Sequence, residues 1–231
     1  MITLRLVIAN KNYSSWSMRP WVLMRQAGIR FDEVMVPFDT PAWDARIPRM
    51  TPSGQVPVLW IGEHGDEQPV WDSLAIAETL HELYPDARLW PSDPVARRHG
   101  RSIAAQMHAD FGALRRAMPL NIGARLHGRG HTPEALHDLA RIVALWTECR
   151  QRWRHLGPLL LGEFSIADAM YAPVVLRCET YGVELPPVAA AYADAVRALP
   201  AVVAWCEDAR RETAFVAHDE PYRGAPERGS G

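Results

Sequence analysis

Four short strings place polar side chains where chain geometry can put them to chemical use. Ser14, Ser15 and Ser17 follow a short apolar run and the polar turn Asn10-Lys11-Asn12. Hydroxyls there can cap the start of a helix, whose first backbone N–H groups lack partners. Gln55-Val56-Pro57 leads into the apolar run Val58-Leu59-Trp60-Ile61. Pro57 must stand at a strand start, since proline cannot donate to a ladder. Asp72-Ser73 opens a further helix, with Asp72 as a candidate N-cap. Ser165-Ile166-Ala167-Asp168 has the spacing of a capping box, and Phe164 before it is placed for a staple.

Other chemistries have less support. The nine histidines offer no HxxxH pair on a helix, and His127 and His131 share a Gly-Arg-Gly loop that reads as solvated. No metal site is expected. Cys149, Cys178 and Cys206 are odd in number and spread over separate helical segments. They read as reduced core thiols, suiting neither a disulfide framework nor a zinc cluster.

The elements that must position these strings fall into two groups, and 231 residues suit two compact domains. Leu4–Ala9 reads as a buried strand, Ser17–Ala27 as a helix stopped at Gly28, and Phe31–Val36 as a second strand. That spacing fits a parallel βαβ crossover. After a variable stretch over 41–50, the strand following Pro57 and a short one near Val70-Trp71 make a hairpin. A helix with Ile76, Leu80, Leu83 and Tyr84 on one face then runs to Pro85. This order is that of a thioredoxin-like α/β layer, assigned to residues 1–84.

Three prolines between Pro85 and Pro94 mark a linker. From residue 93 to 231 the patterns are all helical, implying an all-α bundle. One long helix starts at Asp93-Pro94 and carries Ile103, Met107, Phe111, Leu114 and Met118. A second starts at Thr132-Pro133, its buried stripe running from Leu136 through Trp146, Cys149 and Trp153 to Leu156, and the two are expected to pair. A central apolar helix follows Ser165, two more span Val188–Leu199 and Val202–Val216, and the tail from Asp219 reads as mobile. Trp60, Trp71, Trp146 and Trp153 are assigned to packing. The formal net charge of −2 is interspersed, which draws in neither nucleic acid nor an anionic membrane. The opening residues lack a secretory pattern and no apolar run is long enough to span a bilayer, so a cytoplasmic protein with small-molecule partners is expected.

Taken together and in order, Ser14-Ser15-Trp16-Ser17-Met18-Arg19, Gln55-Val56-Pro57, Asp72-Ser73 and Ser165-Ile166-Ala167-Asp168 resemble the cytosolic glutathione S-transferases, with a zeta-like serine motif. The resemblance covers nearly the whole chain. It implies glutathione as co-substrate, transfer of its thiolate to small electrophiles in detoxification, a homodimer, and peroxidase or isomerase side activity. It implies that Ser14 or Ser15 hydrogen-bonds the glutathione sulfur, aided by the positive end of the first helix. Val56 before a cis-Pro57 would pair its main chain with the cysteinyl portion. Ser73 would hold the γ-glutamyl carboxylate and Asp72 its ammonium. Met107, His108, Phe111 and Arg115 are the implied walls of the electrophile pocket.

The motif departs at Trp16, where zeta-type members usually carry cysteine, and at Gly54, where related classes often carry a basic or imidazole group. These departures count against maleylacetoacetate isomerisation. The glycyl carboxylate then needs another anchor, from Gln55, Lys11, Arg46 or Arg49, and Gln55 is the residue assigned to it. An enzyme-thiol redox mechanism is disfavoured because no cysteine precedes Cys149. The competing reading is a non-catalytic ligand-binding or interaction module on the same fold.

Overall fold

An apolar strand with partners on both sides organises the first half of the chain. The computed structural model describes residues 3–63 and 65–223. β1 (Thr3–Ile8) lies between β2 (Asp32–Met35) and β3 (Val58–Gly62), with β4 (Gln68–Val70) outermost, in the order β2-β1-β3-β4. β1 and β2 are parallel, with Val7 opposite Val34; β3 is antiparallel to both β1 and β4. A parallel pair needs a crossover, which α1 (Ser15–Gln26) supplies. α1 is stopped as expected, Gly28 taking φ +68°.

Pro41–Met50, read as a connecting stretch, is helix α2, started by the Thr40 hydroxyl accepting from the Trp43 N–H. Only Ile47 of α2 is buried, so it lacks the apolar period that reveals a helix, and Pro48 argues against one. α3 (Ser73–Leu83) closes the thioredoxin-like layer on Ile76 and Leu80, while Leu83 is exposed. Trp71 is exposed too, at 45%, which corrects its assignment to packing.

The rest is helical: α4 (Pro94–Ala109), α5 (Gly112–Ala117), α6 (Pro133–Trp153), α7 (Ile166–Tyr181), α8 (Pro187–Arg197) and α9 (Pro200–Arg211). The long helix expected through Met118 breaks after Ala109. The Asp110 carboxylate accepts from the Phe111 N–H at 2.7 Å, and Phe111 turns left-handed at φ 62°. A side chain offering the backbone a local partner competes with the helical ladder. The expected pairing of the two long stretches is present, but divided by that break: α6 packs on α5 and meets α4 at His99, whose ring lies 5.1 Å from that of Trp153, while α4 packs chiefly on α7 and α6 also on α8. Leu136 and Leu156 are exposed, whereas Trp146, Cys149 and Trp153 of the same stripe are buried.

α7 is buried on nearly every side and packs on both α1 and α4, so one apolar core runs through both halves. Its start is the expected capping box. The Asp168 carboxylate, fully buried, accepts from the N–H groups of Leu160 (3.0 Å) and Ser165 (2.9 Å) and from the Ser165 hydroxyl (3.0 Å). α9 ends at Arg211 rather than Val216, and the segment beyond it is docked. Tyr13 Oη donates to the Glu220 carboxylate (2.8 Å) and the Ala214 carbonyl (3.0 Å), and Tyr222 Oη donates to the Ala117 carbonyl (2.7 Å). The mobility expected from Asp219 onward therefore does not hold to Arg223; the rest of that tail lies outside the described residues. Among the described residues no single helix is long and apolar enough to cross a membrane.

Replacing Asp168 with alanine strands two buried N–H groups, each worth about 1–3 kcal/mol when unmade. Urea unfolding of Asp168→Ala should show a loss of about 2–5 kcal/mol; a loss below measurement error would deny the box its role.

Candidate active site

The turn from β1 into α1 is tied down by three serines. Ser14 is the N-cap of α1: its Oγ accepts from the Ser17 N–H (3.3 Å) and donates to Ser17 Oγ (2.7 Å), which also accepts from the Ala9 N–H (3.2 Å). Ser15, one residue on, accepts at Oγ from Nη2 of Arg177 on α7 at 3.1 Å. Both hydroxyl-bearing residues are 5% exposed. No acidic residue occupies the first turn of α1, so its positive end is not neutralised from within.

Asp72 caps α3 by accepting from the Ser73 N–H. Ser73 Oγ is buried and has no hydrogen-bond partner among the described residues, an orphan hydroxyl at a helix N-terminus. His108 of α4 links this end to α1: its Nε2 lies 3.5 Å from Asp72 Oδ2 and its ring meets Trp16 edge-on at 5.4 Å. Arg115 sits 5.6 Å from the same Trp16 ring and donates to the carbonyls of Met107 (3.3 Å) and Asp110. The Val56–Pro57 peptide is cis, immediately before β3, and Gln55 is exposed beside it.

His108 and Arg115 thus meet at Trp16, the residue after Ser15, and His108 ties that point to Asp72 and the start of α3. Met107 and Phe111 do not join them: both have no exposed surface and belong to the core, which corrects their placement as pocket walls. Lys11 is unavailable as a carboxylate anchor, because its ammonium is paired with Glu33 (2.9 Å) and Asp208 (2.8 Å) beside the rings of Trp21 and Trp205. Arg46 and Arg49 are exposed on α2. The cysteines suit no nucleophilic role: burial pushes the Cys149 and Cys178 thiols up to about 12 and Cys206 to about 11, leaving them protonated near neutrality.

Two residues carry no role in the sequence reading and yet face this site. Arg19, 1% exposed, stacks 4.1 Å from the Trp16 ring, and among the described residues none of its side-chain nitrogens has a partner. Arg177 reaches Ser15 from the helical half. The available signals were an arginine closing the serine motif and a lone arginine in the apolar run of α7.

Residues 13–83 match the family description "Glutathione S-transferase, N-terminal domain", and residues 103–208 match "Glutathione S-transferase, C-terminal domain". The chain belongs to the glutathione S-transferase family. Glutathione is accordingly its co-substrate, and the orphan Ser73 hydroxyl and the uncompensated start of α1 suit an anionic tripeptide. A probable maleylacetoacetate isomerase of Caenorhabditis elegans is 24% identical over 75% of this chain and 79% of its own. A maleylacetoacetate isomerase of Pseudomonas aeruginosa is 29% identical over 59% of this chain and 62% of its own. In fold, the chain is similar to a glutathione transferase homologue from Burkholderia gl BGR1 crystallised with glutathione (TM-score 0.66, 21% identity, covering 90% of this chain and 98% of that one). It is likewise similar to a maleylacetoacetate isomerase from Anaeromyxobacter dehalogenans 2CP-1 with bound dicarboxyethyl glutathione and citrate (TM-score 0.65, 24% identity, covering 93% and 94%).

Because Ser73 Oγ has no partner among the described residues, this glutathione S-transferase should tolerate Ser73→Ala with an unchanged melting temperature, while glutathione affinity by calorimetry falls about tenfold. Unaltered affinity would remove Ser73 from the site.

Proposed function

We infer that residues 1–84 bind glutathione and that the site conjugates its thiolate to small electrophiles. The pocket wall comes from the helical unit, residues 93–231. The observation that carries this reading is the start of α1, where two nearly buried hydroxyls stand at a helix end with no acid in its first turn. A thiol of pKa ~8.5 bound there would ionise more readily, and the thiolate is the nucleophile. Ser14 or Ser15 donates to the sulfur. Ser73 takes the γ-glutamyl carboxylate, Asp72 the ammonium, the Val56 main chain the cysteinyl portion and Gln55 the glycyl end.

His108 and Arg115, on either side of Trp16, line the electrophile side in place of Met107 and Phe111. Such a rim suits an electrophile carrying carboxylates, which agrees with the names of the curated relatives and keeps glutathione-dependent isomerisation as a side activity. Trp16, standing where zeta-type members usually carry cysteine, favours conjugation as the main reaction. A cytoplasmic setting, where thiols stay reduced, suits the three free cysteines. A detoxifying homodimer is the expected assembly, with exposed Trp71 offering apolar surface for a second copy to cover.

Calorimetric titration should show binding of both glutathione and S-hexylglutathione, tighter for the alkylated compound, whose chain reaches the electrophile side. Conjugation kcat/KM in a Ser14→Ala/Ser15→Ala double variant should fall about 100-fold with glutathione affinity held within a few-fold. Full activity in that variant would refute the serine chemistry, and no binding of either ligand would refute the site.

A further inference from the structure

Behind the two serines lies more positive charge than the described residues answer. Arg177 is 3% exposed: its Nε donates to the Met118 carbonyl (2.7 Å), its Nη2 to Ser15 Oγ (3.1 Å), and its buried Nη1 has no partner among the described residues. Arg19 lies four residues after Ser15 on α1, hence on the same helix face, with all three nitrogens buried and, among the described residues, unpartnered. An isolated buried cation is strongly unfavourable unless something of opposite charge meets it.

The surrounding elements do not supply that charge in full. α5 adds another cation, Arg115, and α4 brings the His108 ring, which lies against Asp72. Asp72, before α3, is half exposed and already engages the Ser73 N–H and His108. Asp219, from the C-terminal segment, favours the Arg177 cation, and burial pushes its own carboxyl up to about 6. Tyr171 and Tyr181 of α7 are kept protonated by burial. Burial first, then Arg177 and Arg115, bring the Arg19 guanidinium down to about 9; burial and Arg115 bring Arg177 to about 10. The Trp16 face eases this for Arg19 but carries no net charge.

The hydrogen bond to Ser15 has a direction with consequences. A hydroxyl that accepts from a guanidinium keeps its own proton free and becomes a stronger donor. We propose that Arg19 and Arg177 form a two-sided anion hole for the glutathione thiolate, Arg19 as its countercharge and Arg177 as the positioning residue that aims the Ser15 proton at the sulfur. The S–H bond breaks with its proton released to solvent and the electron pair left on sulfur; nothing is transferred to the protein. This rests on the serine reading of the site above, and adds that the thiolate is held by charge from both halves of the chain.

The test is a pH titration of the ultraviolet thiolate absorbance in glutathione-saturated enzyme, wild type against Arg177→Met, Arg177→Lys, Arg19→Met and Ser15→Ala. The bound thiol should titrate about 1–2 units higher in Arg177→Met and Arg19→Met, with part of the shift recovered in Arg177→Lys. Affinity for S-hexylglutathione, which has no thiolate, should stay within a few-fold. Should Arg177→Met fail to fold, Ser15→Ala leaves both arginines in place and must still raise the thiol pKa. An unmoved thiol pKa in the folded variants overturns the proposal. So does an unmoved pKa with weakened S-hexylglutathione binding, which would assign the anion to a peptide carboxylate. Wild-type enzyme that binds neither ligand would instead bring down the underlying reading of the site.

Discussion

Helix α1 is covered on both sides, and the site depends on that. Met18, Trp21, Val22, Leu23 and Met24 are all buried, one flank against the sheet and α3 and the other against α7 and α9. Full burial of such side chains stabilises by about 1.5–3 kcal/mol each. The N-terminus of α1 is therefore a fixed point shared by the two halves of the chain. Its neighbours are set by the same packing: α7 brings Arg177 to Ser15, and α4 brings His108 to Trp16 and Asp72.

The electrostatics follow from this placement. α1 begins without an acid in its first turn and presents the Ser14 and Ser15 hydroxyls, while α3, capped by Asp72, presents the Ser73 hydroxyl. Arginines from α1, α5 and α7 add charge in a region where burial weakens screening. Such an arrangement favours an anion, and a thiol that enters it gains by giving up its proton. Elsewhere charge is balanced: Lys11 has two carboxylates, Asp110 has Arg141, and Arg5 has Glu67. The contrast separates ion pairs that hold the fold from cations left for a ligand.

Where the chain's own chemistry fixes the outcome locally, the sequence was readable. Asp72, Thr132 and Ser165 start helices where their types say they should, and the apolar run of α7 could only be buried. Three features were not readable, each for a nonlocal or competing reason. α2 buries one side chain and so carries no period. The break at Asp110-Phe111 arises from a side-chain bond that disguises itself as a helical residue, since Phe111 still reaches the core. Arg19 and Arg177 are separated by most of the chain, and only the packing of α7 on α1 reveals that they serve one place. Met107 follows the opposite pattern: the family resemblance implied a pocket wall, and its helical spacing puts it in the core.

The account turns on where the sulfur sits. A crystal structure of the protein soaked with glutathione tests this most directly. It should place the sulfur within hydrogen-bonding reach of Ser14 or Ser15 Oγ at the start of α1, with the γ-glutamyl carboxylate on the Ser73 hydroxyl. Glutathione bound with its sulfur away from α1, or its γ-glutamyl group away from α3, would contradict it.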